Sequence, residues 1–273
     1  MKNRILIFIY TILLCSNAFA EELFIEAKDI TLNKEKKTSI FQNDVLVKTK
    51  NKKITSQYAE YNKNSQEVML KENIIAQDNS NNLIKTGYAK YNNISQIFET
   101  LGSTILITSK KYTLEGSDFF FDSKNKIIKS KKNSVLKDLN GNKIYLENFE
   151  YLAKENIFKS IGSIKIIDQF DNNYEFSQIY IDTKKNEVLG TDIKAFLNNK
   201  DFKYNKKNDP RIFANTMNLN ESSSTFDKSV FTLCEFKEGE KCPPWTLQAS
   251  KMTHDKKNKT IFYDNAVVKI FNF

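Results

Sequence analysis

Apolar and polar residues alternate along most of this chain, in short runs broken by Asn, Asp, Ser, Gly and Lys. Alternation sends successive side chains to opposite faces of an extended strand, so each run predicts a strand with one buried face. A helical solenoid would need apolar residues at three-and-four spacing, and leucine-rich repeats would be shorter and Leu-dominated. The runs here are short and β-branched. They predict an all-β chain of antiparallel strands.

The pattern also repeats. Ile54, Ile84, Leu114 and Ile144 fall thirty residues apart, with Tyr174 next. Tyr61, Tyr91, Phe121, Tyr151 and Ile181 keep the same interval, as do Val68, Phe98, Ile128, Phe158 and Val188. Asn43, Asn73, Ser103, Asn133 and Ser163 follow too, and read as the turn before the last strand of each unit. One such unit cannot bury its own apolar face, so copies must stack. Roughly eight units at about 4.8 Å per strand predict a column about 40 Å long. Folding each unit across two sheets gives a β-jellyroll or an open, folded trough, a β-taco. Repeat phase points Ile54, Tyr61, Val68, Ile84, Tyr91, Phe98, Leu114, Phe121, Phe158 and Val188 inward. They either fill a sandwich core or line an apolar lane, and periodicity does not separate the two.

The ends of the pattern set the domain organisation. Residues 1–20 carry Lys2 and Arg4, an apolar run from Ile5 to Leu14, and Ala18-Phe19-Ala20, which predicts a signal peptide cleaved after Ala20. The run is too short for a spanning helix, so the product is exported. Residues 21–273 read as one domain, with regular repeats over 21–198. A polar, basic stretch at 199–212 containing Asp209-Pro210 reads as an inserted loop, and a Cys-containing portion covers 213–273. The sequence stops inside an apolar alternation, Ile270-Phe271-Asn272-Phe273, so it is expected to be the front part of a longer protein.

Composition adds limits. Three Pro and seven Gly exclude collagen-like and Pro/Gly-rich classes. The formal charge of +9 becomes +7 once Lys2 and Arg4 leave with the leader. The lysines are spread among turns (Lys34, Lys36, Lys37, Lys110, Lys111) rather than gathered on one arm, and read first as solvated charges and second as contacts for an anionic partner. Export disfavours nucleic acid. Two cysteines remain after the leader, Cys234 and Cys242. Exported thiols tend to oxidise. A mutual bond over so short a loop would contribute ~2–3 kcal/mol in the chain-entropy model. Pairing with cysteines of a longer chain is the other reading.

Chemistry is thinly supported. His254 is the only histidine, and it falls at the repeat position of Tyr61 and Tyr91, which favours a structural role. Two thiols and one distant histidine are too few ligands for zinc, so no metal or cofactor is expected. No Gly-rich phosphate loop and no serine elbow occur, and no enzyme is predicted.

The leader, the repeated units and the segment Cys242-Pro243-Pro244-Trp245, continuing as Ala249-Ser250-Lys251-Met252-Thr253-His254-Asp255, together carry a resemblance. The chain resembles the N-terminal periplasmic, OstA-like domain of LptD, the lipopolysaccharide-assembly outer-membrane protein, without its C-terminal barrel. That resemblance implies a non-enzymatic trough that takes lipid A acyl chains of lipopolysaccharide from a periplasmic bridge and delivers them to the outer membrane. It implies the bridge protein as a partner by β-strand addition, and an outer-membrane lipoprotein plug where a barrel follows. The first strand, with Phe24, Ile25, Ala27, Ile30 and Leu32, is the candidate edge. A free-standing bridge component and an exported structural β solenoid are the alternatives.

Overall fold

The computed structural model describes residues 22–198, 209–234 and 244–270. Its twenty-one strands form one antiparallel sheet. The predicted signal peptide and Cys242 lie outside the described residues.

At one end, β1 (Phe24–Glu26) and β2 (Asp29–Asn33) both pair with β3 (Thr38–Lys48). The chain then passes back and forth through β4 (Lys52–Asn62), β5 (Glu67–Asp78), β6 (Leu83–Asn92) and β7 (Ile97–Ile107), each pairing with the one before. The next three passes are split into halves: β8 (Thr113–Ser117) and β9 (Phe120–Asp122), β10 (Ile127–Ser130) and β11 (Ser134–Lys137), β12 (Lys143–Leu146) and β13 (Phe149–Leu152). Long strands resume as β14 (Ile157–Ile167), β15 (Asn173–Asp182), β16 (Glu187–Phe196), β17 (Arg211–Leu219), β18 (Ser223–Thr232) and β19 (Trp245–Asp255). Finally β20 (Thr260–Asp264) and β21 (Val267–Ile270) both pair with β19.

Every second pass bends at its middle around residues with left-handed φ: Asn43 and Asp44 in β3, Glu72 and Asn73 in β5, Gly102 in β7, Gly162 in β14 and Asp192 in β16. Pairing slips there, for example between Lys71 and Ile74. These are bulges, in which an extra residue bends the strand without ending its ladder. The series Asn43, Asn73, Ser103, Ser163 therefore marks bends within strands rather than turns between them. Asn133 alone of that series lies between two strands, β10 and β11.

The bends fold the sheet into two wings that meet at a crease. In wing A one ladder of inward residues runs from Val47 through Ile54, Ala76, Ile84, Leu106, Leu114, Leu136, Ile144 and Ile166 to Tyr174. In wing B another runs from Tyr61 through Val68, Tyr91, Phe98, Phe121, Ile128, Tyr151, Phe158 and Ile181 to Val188. Each thirty-residue unit thus adds two strand levels, about 10 Å, so the column is about twice the length that one level per unit predicts.

The crease is packed solid. Phe119 and Phe149 stand edge to face at 5.2 Å, and Phe149 stacks on Phe158 at 5.5 Å. Small residues alternate with large ones from strand to strand beside it, as Ala59 and Ala89 flank Leu70. Gly190 leaves room for the Phe176 ring, which a Cβ would strike.

One boundary differs from expectation. β17 starts at Arg211, inside the stretch predicted as a loop, because Arg211 is buried, pairs with Phe196 and donates from its guanidinium to the Cys234 carbonyl at 2.9 Å. Residues 199–208 of that stretch lie outside the described residues.

Candidate functional site

Opposite the crease the wings end in two rows of hairpin turns, which form the lips of a mouth. Lip A is built on residues thirty apart: Asp78, Thr108, Asp138 and Asp168. Asp78 Oδ1 accepts from the Ser80 and Asn82 amides at 2.9 Å, and Asp138 and Asp168 repeat this four residues from Asn142 and Asn172. Such short polar side chains replace backbone partners in a tight turn. Asn82, Asn142 and Asn172 then each accept from the next turn along, at Ser109, Gln169 and Asn198. Lip B uses Asn62, Asn92, Asp122 and Asp182 in the same way. Its turns are joined by amides such as Asn93 to Gln66 and Ala153 to Lys126.

Between the lips lie two cavities. The larger, about 360 Å³, has Ala76, Ile84, Leu106, Phe98, Phe121 and Ile128 as its floor and Lys52, Lys126 and Lys154 at its rim. The smaller, about 220 Å³, has Leu136, Ile144, Ile166, Ile181, Val188 and Leu219 below, and Asp138, Asp168, Glu221 and Lys256 around it. Between them Tyr112 of lip A reaches across, and its hydroxyl donates to Asn186 Oδ1 of lip B at 3.0 Å. Tyr112 holds the place that Asn82, Asn142 and Asn172 hold in their turns.

The far end of the smaller cavity is sealed by polar groups. Tyr174 is fully buried, its hydroxyl donates to Asp168 Oδ2 at 3.2 Å, and Ser224 of wing B stands beside it. Burial first, and the Asp168 carboxylate second, raise the phenol well above its ordinary pKa. Lys256 Nζ donates to the Asn220 carbonyl at 2.9 Å, and burial lowers its pKa against the opposing pull of Asp168 and Glu221.

All the residues predicted to point inward do so, on the two wing ladders, but not all meet open space. Ile84, Phe98 and Phe121 border the larger cavity and Val188 the smaller. Ile54, Val68, Tyr91, Leu114 and Phe158 are buried packing residues, and Tyr61 is half-buried against them. Sequence reading missed Ala76, Leu106, Leu136 and Ile166, although they too fall thirty apart. It also missed the lip series, whose signal is a polar residue recurring at that interval. His254 is buried, on the wing B ladder between Ser224 and Ile261.

The predicted edge is two strands, not one. The β3 bulge at Asn43 and Asp44 breaks it, and the Lys28 amide turns to donate to the Asn43 carbonyl at 3.0 Å. Among the described residues both pieces pair only with β3. Ile25 and Ala27 pack on the core, whereas Phe24, Ile30 and Leu32 are 53%, 54% and 67% exposed. Cys234 is half-buried just past β18.

No protein-family model matches the chain, and no curated protein does. Among solved structures it is similar to the crystal structure of LptH, the LptA homologous periplasmic component of the conserved lipopolysaccharide transport device from Pseudomonas aeruginosa. That match has 14% identity and a TM-score of 0.18, and covers 63% of this chain and 82% of the other. A likeness this slight leaves function to be read from the geometry of the lips and cavities.

Proposed function

We propose that this chain is a non-enzymatic, periplasmic carrier in lipopolysaccharide transport, acting as the N-terminal trough of an LptD-type protein. The observation that supports this is the mouth: an apolar floor open between two polar lips, over a crease that is already filled. Acyl chains gain ~0.8 kcal/mol per buried CH₂, so such a floor can shelter a lipid across an aqueous gap without chemistry. The edge at β1 and β2, one-sided among the described residues, offers its outer backbone groups and exposed Phe24, Ile30 and Leu32 to a strand of the bridge protein. From there the chains would pass along the mouth towards the outer membrane.

The test places a photo-reactive residue singly at Ile84 and Val188, which border the cavities and are not fully buried, and at Lys165 on the outer face. Lipopolysaccharide adducts at the first two and not the third are expected in living cells. Absence of adducts from a folded, exported protein would leave a structural β solenoid as the better reading.

A free-standing bridge component is the second reading. In that reading the opposite edge would take a second bridge partner: among the described residues β20 and β21 pair only with β19, and they expose Phe262, Val267, Val268 and Ile270. The mass of the native protein in cell extracts separates the two.

A further inference from the structure

We infer that the larger cavity carries an anionic head-group site, in which Lys126 and Lys154 on lip B and Lys52 on lip A hold the phosphate of an amphiphile whose chain lies on the floor. This rests on the reading that the groove binds amphiphiles.

The two cavities share one backbone repeat and an apolar floor, but their rims differ in charge. Three lysines border the larger cavity, together with Asp78 and Asp122. Both of those carboxylates are committed to their own turns. Asp78 accepts from Ser80, from the Asn82 amide and from Asn82 Nδ2, and Asp122 accepts from the Asn125 amide and Asn125 Nδ2. The lysines are held differently. Lys126 and Lys154 are exposed on adjacent turns, which the Ala153 amide joins by donating to the Lys126 carbonyl at 2.9 Å. Among the described residues neither lysine has a carboxylate within ion-pair distance. Lys52 Nζ sits 4.6 Å from the centre of the Tyr91 ring, which places the charge inside the mouth. Flexible four-carbon stems let ammonium groups on neighbouring turns converge on one phosphate as point charges.

The smaller cavity offers the reverse. Asp138, Asp168 and Glu221 border it, and Lys256, the one cation among the residues bordering it, donates to a backbone carbonyl and is buried enough to disfavour its charge. Asp138 and Asp168 are held in their own turns as Asp78 is, so the rims differ in their balance of charge: three lysines and two carboxylates border the larger cavity, one lysine and three carboxylates the smaller. The charge difference therefore orients the amphiphile, with its head at the Lys52 end and its chain on the floor towards Tyr112.

The test is displacement of a neutral apolar dye, N-phenylnaphthylamine, from the whole chain by dodecyl phosphate, by dodecyl maltoside and by inorganic phosphate, with both detergents below micelle formation. Dodecyl phosphate is expected to displace the dye at about tenfold lower concentration than the neutral detergent at low salt, with the advantage shrinking as salt rises. The double variant Lys126→Gln, Lys154→Gln should lose the advantage while still releasing dye to either detergent. The Arg pair at the same positions should keep it, and so should Lys256→Gln. Equal displacement by both detergents would overturn the head-group site and leave the carrier reading standing. Displacement by neither would overturn both. Calorimetric binding of inorganic phosphate alone, lost in the Gln pair, would make this a free-phosphate site and overturn the amphiphile assignment.

Discussion

The crease and the mouth are built from the same thirty-residue unit, yet they do opposite things with it. At the crease the rings of Phe119, Phe149 and Phe158 stand in sequential contact, and Phe121 and Phe98 carry that contact up to the floor of the larger cavity. At the mouth the wings diverge, and the ladder residues nearest the lips face open volume. Stability and capacity are therefore housed apart. Shape is held by crease packing and by the hydrogen-bonded turns of the lips, which leaves the floor between them free to accept a ligand without unfolding.

Truncating one residue in each region puts this division under the greatest stress. Phe149 is 2% exposed and touches two other rings. Phe149→Ala should cost about 3–5 kcal/mol in urea unfolding, transfer plus cavity. Ile84→Ala, at the mouth, leaves no closed void and should cost only about 1–2 kcal/mol for its lost burial. Equal losses would mean that the mouth is packed as tightly as the crease, and that no groove exists.

A smaller effect marks the boundary between open and sealed mouth. Tyr174 keeps its proton in the fold well beyond the ordinary phenol value near 10, because burial and then Asp168 oppose ionisation. Its contribution is fully present below pH 10 and is lost as pH rises, since the unfolded chain ionises first. Tyr174→Phe should flatten the fall of stability above pH 10 by up to about 1.4 kcal/mol per pH unit. Tyr58, Tyr112 and Tyr263, also raised chiefly by burial, keep a residual slope. An unchanged slope would show that the phenol is not sealed.

Much of this was legible in the sequence because the unit is repeated. One register error would have turned Ile54, Tyr91 or Phe98 outward, and five copies in phase left no such freedom. The bends were misread because Asn43 and Asn73 are also good turn residues, and left-handed φ serves a bulge as well as a turn. The split edge at Lys28 depends on its partner's bulge and so leaves no local signal. The cavities were not legible at all. They depend on how far the wings stand apart, and Val68 and Ile84 have the same phase character although one is buried and the other faces space. Tyr112 was visible only as an exception, an aromatic in a series of asparagines.

That exception gives the finest test of crease against mouth. The Tyr112 hydroxyl makes the crossbar between the two cavities, and its loss removes one solvent-exposed hydrogen bond. Tyr112→Phe should therefore change stability by only about 0.5–1.5 kcal/mol, less than the crease substitution. Its larger consequence lies in traffic along the mouth. With the hydroxyl bonded to Asn186, a chain seated in one cavity must break that contact to reach the other. Stopped-flow release of a bound fluorescent fatty acid should quicken in Tyr112→Phe, and Asn186→Ala should quicken it equally, because each removes the same bond. Release unchanged in both variants would show that the lips part freely there, making the two cavities a single lane in solution. A change in Asn186→Ala alone would place the barrier in that side chain's bulk rather than in the bond.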